Sequence, residues 1–578
     1  MRSGPDEALV QGLVHERCPH LAASLLVQRG ITDREMAAAF FRPRIDDLHD
    51  PFLMADMLKA VERIEQALGD NERIMVYGDY DVDGTTAVAL VYSFLAHYGN
   101  VIFYIPDRYT EGYGVSTQGI DHAEREGVSL IITLDCGIKA VDKVRYAAEK
   151  GIDMIICDHH RPGDELPAAV AVLDPKRADC PYPFKELSGC GIGFKLMQAF
   201  AQRNGIPFAE LEPLLDLVAV STACDIVPVN GENRILTKAG LDRLNNSPRP
   251  GLRTMMDMAG VKRRLDVGDL VFSIGPRINA AGRVEHGRQA VELLLAHDLQ
   301  QAAAIGARVD GNNVQRQELD RDITREALEQ IAAEPFLRDS WSTVVFSPGW
   351  HKGVIGIVAS RLIERHYRPT VVLTESNGKA VGSARSVKGF DVYGAIEACS
   401  DMLDQFGGHK YAAGLTMPLE NVPAFRERFE EVVRATLPPE LRVPEELADL
   451  PIRIADITDP LVRVLRHMAP YGPANMRPVF LLAGVKDRGR ARIVGEDHLK
   501  LELVQADAPG RAIDAIAFRM GRHLDLVRSG EVFSVLCTIE ENQWNDRTIV
   551  QLNIKDIKPG VVRLQPVGTR STERIDAA

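Results

Sequence analysis

The sequence lacks any arrangement of cysteines that is typical of a disulfide framework or a zinc site. Eight cysteines are scattered over 578 residues without a CxxC pair. We therefore expect reduced thiols and a cytoplasmic location. The sequence also lacks an apolar run of about 18 residues, so no membrane-spanning helix and no membrane partner is expected. Its first residues lack the apolar core of a signal peptide.

The sequence also has fewer basic residues than acidic ones. The chain has 68 Lys and Arg against 81 Asp and Glu, which gives a net charge of -13 at pH 7. Taken alone, this balance argues weakly against nucleic acid as a partner. Part of the acidic excess, however, is concentrated in one short cluster that bound divalent ions would offset. The net charge therefore does not exclude nucleic acid.

The order of elements predicts an α/β protein with several domains. The chain is too long for one hydrophobic core. From about residue 70, short apolar runs alternate with helical patterns, which predicts βαβ units and a parallel sheet covered on both faces. The runs are RIMVY (73–77), VIFYI (101–105), LIITL (130–134), DMIIC (153–157) and AVAVL (169–173).

Changes of pattern along the chain give the expected domain boundaries. The fold class is α/β multidomain, with a parallel-sheet domain, a helical connector, a smaller α/β domain and a C-terminal β-barrel. The connector is expected to consist of long helices interrupted near Gly306 and Gly311. The expected segments are an N-terminal helical segment at 1–50, the parallel-sheet domain at 51–298, connecting helices at 299–335, the second α/β domain at 336–436, a linker at 437–451, the barrel at 452–563 and a disordered tail at 564–578.

The stretch RIMVYGDYDVDGTT (73–86) places three carboxylates directly after an apolar run. Asp79, Asp81 and Asp83 alternate along the chain. Three clustered anions repel one another and are costly to desolvate, so a compensating cation is expected. Mg²⁺ and Mn²⁺ prefer oxygen ligands. An EF-hand is excluded, because the twelfth position of its loop would need a glutamate and is Leu90 here.

Two further strands end in potential metal ligands. LIITL leads to Asp135, and DMIIC leads to Asp158, His159 and His160. Ligands of parallel sheets bind beyond the carboxyl ends of the strands, and neighbouring strands lie about 4.8 Å apart. Side chains at these ends can therefore converge on one small volume. Asp225, which follows an apolar helical stretch, could add a further ligand.

Each of these residues has an ordinary alternative. A single aspartate after a strand is most often a turn or a helix cap, and Asp225 could simply end its helix. Adjacent histidines are often surface or packing residues. The convergence of several strand ends favours metal binding instead. Two divalent ions about 3.5–4 Å apart can clamp a phosphoryl group, generate hydroxide and stabilise the leaving oxygen. With Asp135 as the bridging ligand, the expected reaction is phosphoryl transfer to water.

The ordered set of motifs resembles the DHH phosphoesterase superfamily and, within it, the RecJ family of bacterial single-strand-specific exonucleases. The short DHH signature at 158–160 is only moderately specific, whereas the whole ordered set, which covers about 50–560, is very specific. Besides DYDVDG, DCG and DHH, the matching segments are PDRYTEGYG (106–114), SGCGIGFKLMQA (188–199), ACDIVPVNGENRILTKAGL (223–241), GPRINAAGR (275–283), WHKGVIGIVASRLIERHYRPT (350–370), GSARS (382–386) and GGHKYAAG (407–414).

The resemblance implies roles for the acidic cluster. His160 would stabilise charge on the reacting phosphate or assist proton transfer, and Asp158 would orient the histidines. The cofactor would be two ions of Mn²⁺ or Mg²⁺. The reaction would be processive 5′-to-3′ degradation of single-stranded DNA to mononucleotides, in DNA repair and recombination. The direct metal ligands would be Asp81, Asp83, Asp135, His159 and Asp225, with Asp79 a ligand or an immediate neighbour of one.

A second set of residues is expected to hold the strand. The resemblance implies a pocket for the 5′-phosphate, and the planar guanidinium fork of arginine suits phosphate oxygens. The ordinary alternatives are a solvated arginine, a packed glycine-rich turn and a core tyrosine. The second α/β domain would be a DHHA1 domain. The substrate-binding candidates are Arg108, Tyr113, Arg277, Arg283, His351, Ser383, Arg385 and His409.

The barrel would be an OB fold that binds single strands. Its segment KDRGRAR (486–492) could contact a phosphate backbone, and Trp544 could stack on a base. An exposed basic turn and plain packing of Trp544 are the alternatives. The resemblance also makes a helicase and a single-strand-binding protein candidate partners and suggests a monomer.

Two other functions stay open. The same chemistry could act on pyrophosphate, oligoribonucleotides or cyclic dinucleotides, although such small substrates would not require the barrel. A non-enzymatic binding scaffold could lose its acidic ligands without penalty, whereas all of them are present here. The metal used in the cell and the tolerance for RNA are not decided by the sequence.

Overall fold

The computed structural model of the chain describes residues 4–506, 510–544 and 547–562, without the side chains of residues 543, 544 and 547. The expected tail at 564–578 and the side chain of Trp544 lie outside the described residues. The chain forms two compact units. One contains the N-terminal residues to Leu48, Ile226–Lys238 and the chain from Glu446 onwards. The other contains His49–Asp225 and Ala239–Glu445.

The second unit contains the expected parallel sheet. Its strand order is β2-β1-β3-β4-β5, and every neighbouring pair is parallel. β1, β3 and β4 are buried over most of their length, as strands covered on both faces must be. The strands are β1 (Arg73–Gly78), β2 (Val101–Tyr104), β3 (Val128–Leu134), β4 (Asp153–Cys157) and β5 (Ala171–Leu173).

Helices surround this sheet. The helix Val82–Leu95 follows β1 and is apolar almost all round, because it packs against both Gly189–Arg203 and Leu215–Cys224. A π-helical turn, Leu270–Ile274, precedes the helix Gly275–Val284. The other helices between residues 57 and 294 are Met57–Gly69, Thr117–Arg125, Val141–Glu149, Pro250–Met258, Val267–Asp269 and Arg288–Leu294. The helix Gly231–Asn246 belongs to the other unit as far as Lys238.

The connector is a single continuous helix, Leu299–Ala333. The expected interruption near Gly306 and Gly311 is therefore wrong. A Cβ at Gly306 would lie 2.8 Å from Cγ2 of Thr254 and 3.0 Å from Cε of Met258. This glycine allows close packing against a neighbouring helix. Packing along the connector overrides the helix-weakening effect of glycine, which is about 1 kcal/mol relative to alanine.

A second sheet in the same unit forms the smaller α/β domain. Its order is β6-β7-β8-β10-β9, in which β6 and β7 are parallel and the other neighbouring pairs are antiparallel. The strands are β6 (Thr343–Phe346), β7 (Thr370–Ser376), β8 (Lys379–Arg385), β9 (Gln405–His409) and β10 (Ala412–Pro418). The helices are Pro335–Asp339, Ile355–Arg365, Val392–Glu397 and Val422–Thr436.

The other unit contains a closed barrel. β12, β14, β15, β17 and β16 pair in a ring that closes through β12 and β14. The β15–β17 pair is parallel and the other pairs in the ring are antiparallel. This is a five-stranded barrel of the OB type. The barrel strands are β12 (Phe480–Asp487), β14 (His498–Gln505), β15 (Ile513–Ala517), β16 (Phe533–Trp544) and β17 (Arg547–Pro559). Two short strands extend the sheet, since β11 (Leu450–Ile452) pairs with β12 and β13 (Arg492–Val494) pairs with β14. The helices are Asp459–Met468 and Leu524–Arg528.

The N-terminal helices share a core with this barrel. Val10 and Leu25 belong to the same buried cluster as Phe480 and Phe533 of the barrel strands. The helices are Glu7–Leu13, His20–Val27 and Arg34–Phe41. The domain boundaries expected from the sequence stay predictions, whereas the predicted fold class is confirmed. Among the described residues, no helix has the length and apolarity needed to cross a membrane.

Candidate metal centre and phosphate pocket

Three aspartates emerge side by side from the parallel sheet. Gly78 at the end of β1 lies opposite Leu134 of β3, and Leu134 lies opposite Cys157 of β4. These strands therefore end level with one another. The next residues in the chain are Asp79, Asp135 and Asp158, and all three are buried. The register places three acidic side chains at one edge of the sheet, as the sequence predicts.

His159 lies at the centre of a cluster of carboxylates. Its Nε2 is 3.2 Å from Oδ1 of Asp135, 3.5 Å from Oδ2 of Asp225 and 3.8 Å from Oδ2 of Asp83. Two groups of potential ligand atoms share this histidine. One consists of Asp83, His159 and Asp225, and the other of Asp135, His159 and His160.

Unpartnered buried atoms show that this cluster fits divalent cations. Within the described residues, both carboxylate oxygens of Asp79, Oδ1 of Asp135, Oδ2 of Asp225 and both ring nitrogens of His159 are buried and make no hydrogen bond. Buried polar atoms are nearly always paired, because leaving them unpaired costs free energy. Hard carboxylate oxygens with one imidazole are a ligand set that suits Mn²⁺ and Mg²⁺.

The electrostatics of the cluster lead to the same conclusion. Burial, followed by repulsion from neighbouring aspartates, raises the pKa values of Asp79, Asp81, Asp135 and Asp225. Burial lowers the pKa of His159 to about 4, so its imidazole is neutral, which is the form that binds metals. Divalent ions would favour the charged carboxylates and remove their mutual repulsion.

The start of a helix fixes Asp83. Oδ2 accepts a hydrogen bond from the backbone N–H of Gly189 at 2.6 Å, and Oδ1 accepts one from that of Cys190 at 2.8 Å. These residues begin the helix Gly189–Arg203, whose N-terminus favours negative charge. The hydroxyl of Ser221 donates to Oδ1 at 2.6 Å. Sequence reasoning missed Gly189 and Ser221, because neither is near Asp83 in the chain.

Asp135 adopts an unusual backbone conformation. Its φ is +60°, in the left-handed region that aspartate tolerates better than most residues. A Cβ at Gly189 would lie 2.6 Å from Cβ of Asp135 and 2.8 Å from its Cα. Only a glycine at position 189 leaves room for Asp135 in this place.

Asp81 and Asp225 also occupy helix ends. Oδ1 of Asp81 accepts the backbone N–H of Gly84 at 3.0 Å and caps the helix Val82–Leu95. Asp225 ends the helix Leu215–Cys224. The ordinary helix-end explanation therefore applies to both residues. It does not exclude metal binding, because Oδ2 of Asp225 remains buried without a partner among the described residues.

Asp158 differs from the other aspartates because both of its oxygens have partners. Oδ2 accepts the backbone N–H of Ile138 at 2.9 Å, and Oδ1 accepts those of His159 and His160. Nδ1 of His160 lies 2.7 Å from the same Oδ1. Burial would raise the pKa of Asp158, but the hydrogen bond and charge of His160 keep it low. Asp158 is thus in contact with both histidines, and its expected orienting role stays a prediction.

Tyr113 borders the cluster and is 56% exposed, so it is not a core residue. Its hydroxyl donates to the carbonyl oxygen of Asp135 at 3.2 Å and lies 3.3 Å from Nε2 of His160. The side chain therefore lies beside Asp135 and His160, with its ring exposed.

Three arginines without acidic partners form a second site in the same unit. Among the described residues, no carboxylate pairs with Arg108, Arg283 or Arg385. Burial, followed by repulsion from Arg108 and Arg385, lowers the pKa of Arg283 to about 10. Burial and Arg108 also lower the pKa of Arg385. Arg385 donates to the hydroxyl of Ser383 at 3.0 Å. Uncompensated guanidinium groups that repel one another are suited to bind an anion such as phosphate.

The two candidate histidines lie near these arginines. Arg283 donates to the carbonyl oxygen of Gly353 at 3.0 Å, and the backbone N–H of Gly353 donates to Nδ1 of His351 at 3.2 Å. Burial, followed by the charge of Arg385, lowers the pKa of His409. Arg277 differs from the other arginines, because its charge is paired with Asp310 at 2.9 Å on the connector helix. Its expected role in substrate binding stays a prediction.

Asp174 is an acidic residue at a strand end that sequence reasoning missed. It follows β5 and is fully buried, and its Oδ2 has no hydrogen-bond partner among the described residues. Burial raises its pKa to about 7. The sequence could have indicated Asp174, because this residue follows the apolar run AVAVL in the same way as Asp135 follows LIITL.

Three protein-family models match successive parts of the chain. The DHH family, N-terminal domain, matches residues 73–222, the DHHA1 domain matches 340–435 and the RecJ OB domain matches 448–556. The single-stranded-DNA-specific exonuclease RecJ of Bacillus subtilis (strain 168) is 38% identical over 562 residues, covering 96% of this chain and 70% of that protein. The chain belongs to the RecJ family. The RecJ of Escherichia coli (strain K12) is 35% identical over 522 residues, covering 87% and 90% of the two chains.

Solved RecJ structures share the fold and contain metal. The crystal structure of RecJ from Thermus thermophilus in complex with Mn²⁺ matches with a TM-score of 0.82 and 30% identity, covering 97% of this chain and 79% of that chain. The complex of the same protein with Mg²⁺ matches with a TM-score of 0.75 and 28% identity. The predicted resemblance and the predicted cofactors, Mn²⁺ or Mg²⁺, are confirmed.

Proposed function

We propose that this member of the RecJ family is a metal-dependent exonuclease that degrades single-stranded DNA from the 5′ end into mononucleotides, in DNA repair and recombination. The observation that carries the proposal is the position of His159, whose Nε2 lies within 3.8 Å of carboxylate oxygens from Asp83, Asp135 and Asp225. The unpaired arginines of the same unit add a phosphate-binding site. Family membership adds the substrate class, since the curated relatives are single-stranded-DNA-specific exonucleases.

The acidic cluster would hold two ions of Mn²⁺ or Mg²⁺, with Asp135 between them. When bound, such a pair supplies a hydroxide nucleophile and stabilises the charge that develops on the phosphate and the leaving oxygen. The remaining residues keep the ligands in place. Ser221 and the helix start at Gly189 orient Asp83, and Gly189 leaves room for Asp135. The ligands in this proposal are Asp79, Asp81, Asp83, Asp135, His159 and Asp225.

His160 would act directly on the reacting phosphate. Its side chain is 40% exposed, whereas His159 is buried. Nδ1 of His160 is engaged by Asp158, which leaves Nε2 to face a substrate beside the hydroxyl of Tyr113. Burial would lower the pKa of His160, but the hydrogen bond to Asp158 raises it above its usual value. The imidazolium form can donate a hydrogen bond to a phosphate oxygen or a proton to the leaving oxygen.

The arginine pocket would bind the terminal 5′-phosphate and so define the polarity. Arg108, Arg283 and Arg385 have no competing carboxylate among the described residues, and Ser383 adds a hydroxyl beside Arg385. A pocket that holds a 5′-terminal phosphate would place that end of the strand for cleavage. Cleavage at a fixed distance from that pocket would release one nucleotide in each cycle. His351 and His409 would border the bound end.

The barrel favours a polymeric substrate over pyrophosphate or a cyclic dinucleotide. In OB barrels, single strands bind across the second and third strands, which are β14 and β15 here. Phe518 follows β15, is 53% exposed and lies edge-to-face with His498 of β14, at 5.1 Å between ring centroids. Arg488 and Arg490 are paired with Glu502, so part of the KDRGRAR charge is already compensated. Phe518 is therefore the better candidate for base stacking.

We further propose a monomeric, cytoplasmic enzyme that works with a helicase and a single-strand-binding protein. The partner proteins are inferred from the restriction to single strands, and the compartment is inferred from the cysteines. A nuclease restricted to single strands depends on other proteins to separate duplex DNA. All eight cysteines are unpaired, and seven of them are buried, which agrees with a reducing compartment.

The test is a comparison of substrates with the purified full-length protein. Single-stranded DNA, duplex DNA and pyrophosphate are each incubated with and without Mn²⁺, and the DNA carries a label at either end. The expected result is release of labelled mononucleotide from the 5′ end of single-stranded DNA, only with metal. Equal cleavage of duplex DNA, release from the 3′ end, or a clear preference for pyrophosphate would contradict the proposal.

A further inference from the structure

Tyr80 lies in the chain between two aspartates of the metal centre, but its ring contacts other groups. The guanidinium carbon of Arg108 lies 4.7 Å from the centre of this ring. The ring of Tyr113 meets it edge-to-face, with 6.3 Å between centroids. Tyr113 in turn contacts Asp135 and His160. Tyr80 is therefore a physical link between the phosphate pocket and the metal centre.

The backbone of Tyr80 is also held closely by the segment that carries Arg283. A Cβ at Gly282 would lie 2.7 Å from the carbonyl oxygen of Tyr80, and one at Gly287 would lie 3.1 Å from its Cβ. These glycines allow the chain on either side of Arg283 to approach Tyr80. Tyr80 thus touches Arg108 directly and Arg283 through its neighbouring backbone.

Arg108 needs a neighbouring group that holds its guanidinium in place. Its charge is close enough to those of Arg283 and Arg385 to lower both of their pKa values. Two positive neighbours favour movement of Arg108 out of the pocket. A carboxylate could hold it, but would compete with phosphate for the same N–H groups. The face of a tyrosine ring attracts a guanidinium and leaves those N–H groups free.

We propose that Tyr80 is a positioning residue that holds Arg108 for the 5′-phosphate and thereby sets the preference of the enzyme for phosphorylated ends. The inference rests on the proposed function and adds a residue that determines its specificity. Tyr80 acts through Arg108 and not on the reacting atoms.

The measured quantity is the ratio of kcat/KM for a 5′-phosphorylated single strand to that for the same strand with a 5′-hydroxyl. Tyr80→Leu should lower this ratio about tenfold, which corresponds to the loss of a partly desolvated cation–π contact. Most of the change should appear in KM. Tyr80→Phe keeps the ring face and should preserve most of the ratio. If Tyr80→Leu leaves the ratio unchanged, or if Tyr80→Phe lowers it as much as Tyr80→Leu, the inference is wrong.

A double-mutant cycle separates positioning from a general structural effect. Arg108→Ala should lower the ratio at least as much as Tyr80→Leu does, with the remaining preference due to Arg283 and Arg385, and Tyr80→Leu in that background should cause no further fall. Additive losses would show that Tyr80 does not act through Arg108. Mn²⁺ affinity is measured for each variant, because Asp79 and Asp81 flank Tyr80. A loss of Mn²⁺ affinity in Tyr80→Phe and Tyr80→Leu alike would assign the effect to the metal centre and overturn the inference.

Tyr98→Leu is the matched control. Tyr98 is 44% exposed and contacts Phe94 and Phe200, and neither residue is a candidate for either site. The kcat/KM ratio of Tyr98→Leu for the two strands should equal that of the unaltered enzyme. The two proposals fail in different ways. Absence of metal-dependent hydrolysis of single-stranded DNA would refute the proposed function. Hydrolysis with a preference for a 5′-phosphate that Tyr80→Leu leaves unchanged would refute only the role of Tyr80, whereas hydrolysis without any such preference would also refute the 5′-phosphate pocket.

Discussion

Nδ1 of His160 lies 2.7 Å from Oδ1 of Asp158, and this contact separates the two adjacent histidines by role. His159 is buried among carboxylates with both ring nitrogens unpartnered among the described residues. His160 is partly exposed and is oriented by a carboxylate. One imidazole is thus a candidate metal ligand, and the other is proposed to act on the substrate.

Asp158→Asn should therefore impair His160 without removing a metal ligand. The amide cannot stabilise the imidazolium, so the pKa of His160 should fall. If the imidazolium is the active form, the alkaline limb of the pH–rate profile should move to lower pH. We expect kcat to fall about 10- to 100-fold, as for other residues that orient a catalytic or metal-binding histidine. A normal Mn²⁺ affinity is the control, and an unchanged profile would exclude this role.

Asp135→Ala should abolish hydrolysis while leaving binding of single-stranded DNA largely intact. The variant loses the carboxylate that lies 3.2 Å from His159 and that is proposed to bridge the ions. Mn²⁺ binding by calorimetry and DNA binding by fluorescence anisotropy are measured together with turnover. Asp142→Ala is the matched control, because Asp142 is an exposed residue paired with Arg145 on the same helix. Substantial turnover by Asp135→Ala would refute the bridging role.

Gly189→Ala tests whether close packing fixes the metal centre. The new methyl group would overlap Asp135, so we expect a weaker Mn²⁺ affinity and a lower kcat in a protein that still folds. Gly311→Ala is the control, because no atom lies within 4 Å of its Cβ position and it is in the middle of a helix. That variant should be fully active and more stable by up to about 1 kcal/mol. Equal activity of the two variants would show that position 189 tolerates a side chain.

Arg234→Lys should destabilise the unit that contains the barrel. Arg234 is only 3% exposed, and its guanidinium lies 3.8 Å from the ring centre of Phe40. Its N–H groups donate to the carbonyl oxygens of Phe40, His467, Met468, Ala469 and Pro470. A lysine cannot reproduce this fork, so several buried carbonyl groups lose their partners. We expect the free energy of unfolding to fall by about 2–4 kcal/mol, measured by urea denaturation. Arg145→Lys, at an exposed site, should change it little.

The strand ends could be predicted from the sequence because the signal is local. Asp79 and Asp135 each come directly after a strand that an apolar run predicts, and the parallel register brings them together. The contacts of Tyr80, Ser221 and Gly189 could not be predicted, because they depend on distant parts of the chain. The break expected at Gly306 was wrong for the same reason, since packing against Met258 outweighs local helix propensity.

For the barrel, too, only the features that depend on neighbouring residues could be predicted from the sequence. Alternating residues predicted its strands, but the closing pair β12–β14 and the shared core with the N-terminal helices are long-range. This core changes how the barrel must be tested. Deletion of residues 452–578 would expose Val10 and Leu25 as well as remove the proposed DNA-binding face. Such a variant would lose stability and affinity together, so it could not assign a function to the barrel.

A single substitution on the barrel surface is the sharper test. Phe518→Ala removes an exposed ring beside His498 without opening the core. Stacking on an aromatic side chain is worth about 1–3 kcal/mol per base, so affinity for long single strands should fall about 5- to 100-fold. Hydrolysis of strands too short to reach the barrel should be unchanged, because the metal centre and the arginine pocket are intact. Phe336→Ala, at an exposed site in the other unit, is the control. If long and short substrates lose activity equally, the ring supports the fold and does not bind DNA.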